Sequence, residues 1–68
     1  MVTEEKKITN KLKLKLKEDS RHGIQSWYMY LVDETTGLAL SVGYPYYYNK
    51  QKARHAFDRA SRFLKLND

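Results

Sequence analysis

The sequence has no cysteine, a single proline and only three glycines among its 68 residues. The lack of cysteine excludes disulfides, thiolate metal sites and cysteine nucleophiles, and it is typical of proteins from a reducing compartment. No apolar run approaches the roughly 20 residues of a membrane span, and residues 1–9 lack the apolar segment of a signal peptide. We therefore expect a cytoplasmic protein.

Groups able to carry catalysis are also scarce. The two histidines, His22 and His55, are not spaced like a metal-binding pair. Ser41 has neither a glycine elbow nor an obvious base beside it. The glycines form no phosphate-binding loop, and no two carboxylates are placed to act as acid and base. We expect no catalytic residue, no metal site and no cofactor, so the protein is not predicted to be an enzyme.

Basic residues predominate in the composition. There are 13 lysines and arginines against eight acids, which gives a formal charge of +5 and a pI near 9.6. Such an excess on a small domain favours nucleic acid or an acidic protein surface as the partner. The acids fall largely in the N-terminal segment and in predicted turns, which leaves the regular elements basic: Glu4, Glu5, Glu18, Asp19, Asp33 and Glu34.

Residues 10–17 alternate between lysine and leucine, which predicts a strand with two chemically distinct faces. Leucines form one face and lysines the other. The leucines are Leu12, Leu14 and Leu16, and the lysines are Lys11, Lys13, Lys15 and Lys17.

Two further strands and one helix are predicted downstream. Residues 24–32 are rich in aromatic and β-branched residues, and residues 38–44 follow a tight turn that ends at Gly37. Pro45 is expected to end the third strand, because proline cannot donate a ladder hydrogen bond. Asn49 is a suitable N-cap for a helix with one apolar stripe. That stripe consists of Ala53, Ala56, Phe57, Ala60, Phe63 and Leu64.

These elements predict an α+β fold in two layers. Residues 1–9 are expected to be a flexible tail, and residues 10–68 a single β-β-β-α domain. In it a three-stranded antiparallel meander packs on one C-terminal helix. The helix would cover one face of the sheet, which carries Leu12, Leu14, Leu16, Trp27, Met29, Leu31, Leu38, Leu40 and Val42.

The opposite sheet face has no covering element, and we call it the open face. It is predicted to combine the lysines with Tyr28 and Tyr30, a pairing suited to phosphates and bases. Lys50 and Lys52 open the helix with no acid before Asp58, as at an anion-binding helix start. Three consecutive tyrosines form a second candidate, an interaction loop: Tyr46, Tyr47 and Tyr48. Alternatively, the lysines protect an edge strand from aggregation, and the tyrosines are only cross-strand partners.

Residues 27–57 carry three motifs: "WYMYLVDETTG", "LALSVGY" and "NKQKA". In this order they resemble the arm-type DNA-binding domain of phage tyrosine recombinases, a three-stranded sheet followed by a helix. The resemblance implies that the sheet enters the major groove of duplex DNA. It implies contacts from Lys13, Lys15, Tyr28 and Tyr30.

Two functions remain open from the sequence. The first is a small, non-catalytic nucleic-acid-binding protein that uses the open face, with DNA favoured over RNA. The second is a protein-interaction module, such as a small phage-type inhibitor or adaptor, that binds an acidic partner. Either could act as a monomer or a homodimer.

Overall fold

The computed structural model describes residues 2–20 and 23–66. They form a four-stranded antiparallel sheet, ordered β1-β2-β3-β4, and one C-terminal helix. The elements are β1 (Val2–Lys7), β2 (Leu12–Asp19), β3 (Ser26–Asp33), β4 (Ala39–Tyr47) and α1 (Lys50–Leu66). The predicted α+β class, antiparallel sheet and C-terminal helix are confirmed, but the sheet has one more strand than predicted.

The additional strand is β1, which lies where a tail was predicted. Glu4 stands opposite Leu16 and Lys6 opposite Leu14, so β1 pairs along one side of β2. Its sequence is mostly charged and shows no apolar alternation, which is why periodicity did not predict a strand. Because β1 and β3 flank it, β2 is an interior strand, and the interpretation of its lysines as edge protection is wrong.

The core lies between α1 and the middle of the sheet. Leu14, Leu16 and Met29 are at most 1% exposed, and they pack with Trp27 and with Ala53 and Phe57 of α1. The predicted alternation of β2 and β3 is therefore confirmed. Asn49 caps α1 as predicted, because its side-chain oxygen accepts the Lys52 N–H at 3.0 Å.

Part of the helix-side face is uncovered. Leu40 stands opposite the half-buried Leu31, yet Leu40 is 67% exposed and its neighbour Leu38 72%. α1 starts beside the end of β4, and midway along it Asp58 bonds to Lys6 of β1, at the other edge. The helix thus crosses the sheet diagonally, and the prediction that Leu38 and Leu40 belong to the core is wrong.

β4 continues through Pro45 to Tyr47, so the prediction that proline ends this strand is also wrong. Met29 is opposite Val42 and Trp27 opposite Tyr47, which makes residues 43–46 a bulge. An edge strand tolerates proline at a bulge. Gly43 has φ +76°, and a Cβ there would lie 2.5 Å from the Tyr47 hydroxyl.

In the part of the chain that the structure describes, no helix has both the length and the apolar character to span a membrane.

Candidate nucleic-acid interface

The open face forms as predicted, on the side of the sheet away from α1. Lys15 of β2, Tyr30 of β3 and Ser41 of β4 stand opposite one another in one cross-strand row. Lys13 and Val32 occupy the next row towards one end of the sheet, and Lys17 and Tyr28 the next towards the other. The structure therefore brings three of the four predicted strand lysines and both predicted tyrosines onto one surface.

Two glutamates also reach this face and pair with its lysines. Lys13 Nζ lies 3.1 Å from Glu34 and 3.8 Å from Glu5, and Lys15 Nζ lies 3.9 Å from Glu5. The hydrogen bond and charge of Glu34, together with the charge of Glu5, raise the pKa of Lys13 above 10.5. The positive charge at this end of the face is therefore partly compensated. Glu5 was not predicted to reach this face, because residues 1–9 were predicted to form a tail.

Lys17 has a different environment. Its ammonium lies 5.9 Å from the centroid of the Tyr30 ring, within the range of a cation–π contact. Across residues 2–20 and 23–66, Lys17 forms no ion pair. Its charge remains available to an anion from outside the protein.

Four tyrosine rings follow one another beside Lys17, and we call them the tyrosine row. The Tyr30 and Tyr28 rings are stacked at 6.0 Å, and Tyr28 meets Tyr46 edge-on at 5.8 Å. Tyr46 in turn lies 6.4 Å from Tyr48. The bulge in β4 brings Tyr46 to Tyr28, so the row joins residues that the sequence analysis assigned to two separate sites.

An open groove of about 510 Å³ lies beside three rings of the row, those of Tyr28, Tyr30 and Tyr46. Two small residues, Ala39 and Ser41, line this groove together with the aromatic rings and one ammonium group. This combination suits a planar, partly polar ligand that carries negative charge. The lining residues are Lys17, Tyr28, Tyr30, Ala39, Ser41, Pro45 and Tyr46.

Four predicted site residues lie elsewhere. Lys11 is in the turn before β2, where its N–H donates to the Thr9 hydroxyl at 3.1 Å. Lys50 and Lys52 begin α1, on the other side of the sheet, so no single surface contains them and the open face. Tyr47 is half-buried against the core, and its hydroxyl accepts the Tyr44 N–H at 3.3 Å. The predicted tyrosine loop is thus split between core and surface.

The outward side of α1 carries a second basic surface, of which only Lys52 was predicted to be a site residue. Its exposed residues recur at helical spacing: Lys52, His55, Arg59 and Arg62. The neighbouring Asp58 is engaged by Lys6 at 2.5 Å. The spacing of the basic residues along the helix could have predicted this surface, but only the apolar stripe of the helix was interpreted.

Metal binding gains no geometric support. Within 2–20 and 23–66, no three histidine, aspartate or glutamate side chains are grouped to hold an ion. His22 lies outside the described residues, so the prediction about it has no structural counterpart.

Comparison with protein-family models, with curated proteins and with solved structures finds no match to this chain. The resemblance to recombinase arm-type domains therefore stays a prediction.

Proposed function

We propose that the protein binds nucleic acid through the open face, by binding alone and without catalysis. The observation that carries the proposal is the tyrosine row with Lys17 beside it. Aromatic rings that lie side by side on a sheet can stack successive bases, and a neighbouring ammonium can bind the phosphates between them.

An unpaired stretch of nucleic acid fits this arrangement best. Stacking on a ring needs the face of a base, which is hidden inside a duplex. DNA remains favoured over RNA as the ligand because of the resemblance to arm-type domains, although those domains bind duplex DNA. Binding to single strands would therefore support the groove as the binding site, whereas binding to duplex DNA would support the resemblance to arm-type domains.

A titration with short single-stranded and duplex oligonucleotides tests the proposal, with anisotropy for affinity and amide shifts for location. We expect Tyr28→Ala to weaken single-strand binding by about 1 to 3 kcal/mol, the usual loss of one base-stacking ring. Lys17→Gln should lower the dependence of log K on log salt by about 0.7 for one single-strand phosphate contact.

Matched controls are available in the same chain. Tyr44 is 70% exposed but contacts Tyr47 rather than the tyrosine row, so Tyr44→Ala should leave the affinity unchanged. Lys52→Gln removes an equal charge from the helix side. Wild-type affinity in Tyr28→Ala, or an equal salt effect in Lys52→Gln, would contradict binding at the open face and would favour the basic surface of α1.

The second candidate function is binding of an acidic protein partner. The ion pairs of Lys13 and Lys15 favour it, since they show that this face accepts carboxylates at 3.1 to 3.9 Å. A poly-glutamate peptide would then displace Glu5 and Glu34 and shift the amides of β2. Shifts with this peptide, and none with any oligonucleotide, would replace the first proposal by the second.

A further inference from the structure

The regular part of the outer edge of β4, residues 39–42, lacks the devices that usually block strand pairing. β4 is an edge strand, and residues 38–48 contain no charged side chain. The regular part, residues 39–42, precedes the bulge and contains no proline. Natural edge strands are normally protected by charge, proline, bulges or a covering element. This stretch has none of them.

An apolar patch adjoins the same edge. Leu38 and Leu40 are about two-thirds exposed or more. With Leu12, Leu31 and Ala39 they line an open groove of about 350 Å³ on the helix side of the sheet, and Asp33 is its one charged lining residue. Exposed leucines in a contiguous group mark an interaction surface more often than leucines that are exposed singly.

The backbone of β4 has hydrogen-bonding groups directed at this edge. The Leu38 carbonyl accepts the Asp33 N–H at 2.8 Å, so Leu38 bonds inward, towards β3. Hydrogen bonding alternates along an antiparallel strand, so Leu40 also bonds inward. Ala39 and Ser41 then turn their N–H and C=O groups outward, to the unpaired side.

We propose that β4 is a homodimer interface, in which it pairs antiparallel with β4 of a second copy about a two-fold axis at Leu40. This axis places Leu40 opposite Leu40 of the second copy and Leu38 opposite its Val42. Ala39 lies opposite Ser41, and this pair exchanges the outward N–H···O=C bonds. The same register therefore satisfies the backbone and covers the leucines.

Self-complementarity is the reason to assign a second copy as the occupant. Every pair in this register is apolar with apolar or small with small, and no charges meet. A two-fold axis at Glu5 of β1 would instead bring two carboxylates together. The bulge at residues 43–46 ends the pairing, and the charged β1 edge offers no further site, so the assembly closes as a dimer.

The dimer would merge two sheets into one of eight strands, with both tyrosine rows on the same side. Ala39 and Ser41 line the groove and also belong to the pairing segment. The two grooves would lie next to each other across the axis. The interface itself does not depend on what the open face binds.

The absence of native cysteine permits a sharp test by single-cysteine cross-linking. Leu40→Cys places two thiols opposite each other at a non-hydrogen-bonded pair, where Cα atoms are about 4.5 Å apart, within disulfide range. Leu38→Cys is the matched control. Its counterpart in the second copy is displaced by four residues, about 13 Å along the strand. We expect mild oxidation to convert Leu40→Cys to a covalent dimer and to leave Leu38→Cys without a cross-link.

Analytical ultracentrifugation of the cysteine-free protein gives a second readout. We expect the dimer to form at protein concentrations within the range of about 1 μM to 1 mM. The dissociation constant of Leu40→Lys should be more than about tenfold larger than that of the wild type. Ile24→Lys changes a similarly exposed side chain, at 60% against 67% for Leu40, outside the interface, and should dimerise normally. Thermal melts verify that each variant folds. A wild-type monomer at the highest concentration, or equal cross-linking of Leu38→Cys and Leu40→Cys, would overturn the proposal.

Discussion

The two edge strands of the sheet have opposite character. β1 presents Glu4, Glu5, Lys6 and Lys7 in succession, whereas residues 38–48 of the β4 edge have no charge at all. Glu4 accepts from Arg54 at 2.9 Å and Lys6 donates to Asp58 at 2.5 Å, so the charged edge is also tied to the helix. The apolar edge lies under no part of the helix at Leu38 and Leu40.

The two edges of this small sheet have different roles. Charge on β1 prevents pairing with another chain, while ion pairs anchor the same strand to α1. β4 keeps its outward backbone groups and leucines accessible and uses its bulge to bring Tyr46 to the open face. The charged side chains of β1 oppose strand pairing at that edge, whereas the β4 edge can still pair with another strand.

The largest expected difference in stability is between truncating a leucine that α1 covers and truncating one that it leaves uncovered. Leu14→Ala truncates a side chain with 0% exposure and should lower the free energy of unfolding by about 2 to 5 kcal/mol. Leu40→Ala should cost less than about 0.5 kcal/mol in dilute solution, because the side chain is already mostly hydrated. Urea denaturation at low and high protein concentration measures both.

The concentration series also tests the dimer. The Leu40→Ala loss should grow with protein concentration, because the wild type gains stability from association. The Leu14→Ala loss should be large throughout. Equal losses for the two variants in dilute solution would mean that α1 covers the β4 edge after all.

The bulge in β4 gives the second effect. Gly43→Ala forces a positive φ on alanine and places its Cβ 2.5 Å from the Tyr47 hydroxyl. Gly37→Ala meets the same backbone problem, at φ +78°, but with nothing within 4 Å. We expect Gly37→Ala to lower the free energy of unfolding by about 1 to 2 kcal/mol. Gly43→Ala should lower it by about 1 kcal/mol more because of the overlap.

A double variant isolates the overlap from the backbone strain. Tyr47→Phe removes the hydroxyl that the new Cβ would meet, so the extra cost of Gly43→Ala should largely disappear in that background. Thermal denaturation of the four proteins in the cycle is the measurement. Strict additivity would show that the Tyr47 hydroxyl adds no cost, and any excess over Gly37→Ala would then come from Met29 Cε, 3.2 Å from the new Cβ.

The sequence allowed the middle of the fold to be predicted well. Alternation in β2 and β3 identified the buried Leu14, Leu16 and Met29, because a half-buried strand must alternate. Asn49 was identified as the cap from its side-chain chemistry and its position before the apolar stripe. The open face followed from the same phase, including the position of Tyr28 and Tyr30 beside the lysines of β2.

The edges could not be predicted in this way. β1 has no apolar alternation, and its place depends on backbone pairing with β2 and on ion pairs with α1, which are non-local. Leu40 has the correct phase for the core, but its exposure depends on the diagonal path of the helix. The tyrosine row depends on a bulge that only the register between β3 and β4 defines.

The smallest effect concerns the tie between β1 and α1. The hydrogen bond from Lys6, followed by its charge, lowers the pKa of Asp58 below 3.8. A depressed carboxyl pKa contributes stability that is present above the unfolded pKa and is lost as pH falls through the folded pKa. We therefore expect Asp58→Asn to lower the melting temperature slightly near neutral pH, and the difference from wild type to vanish in acid, below the folded pKa.

Lys6→Met provides the matched control, since it removes the partner that depresses the Asp58 pKa. It should likewise lower the melting temperature near neutral pH, and its difference from wild type should narrow over the same acidic interval. Melting curves from pH 7 down to strongly acid conditions, recorded at one ionic strength, compare the three proteins. A constant difference between Asp58→Asn and wild type across that range would show that the carboxylate of Asp58 does not hold β1 to the helix. The charges on this edge would then serve only to prevent pairing.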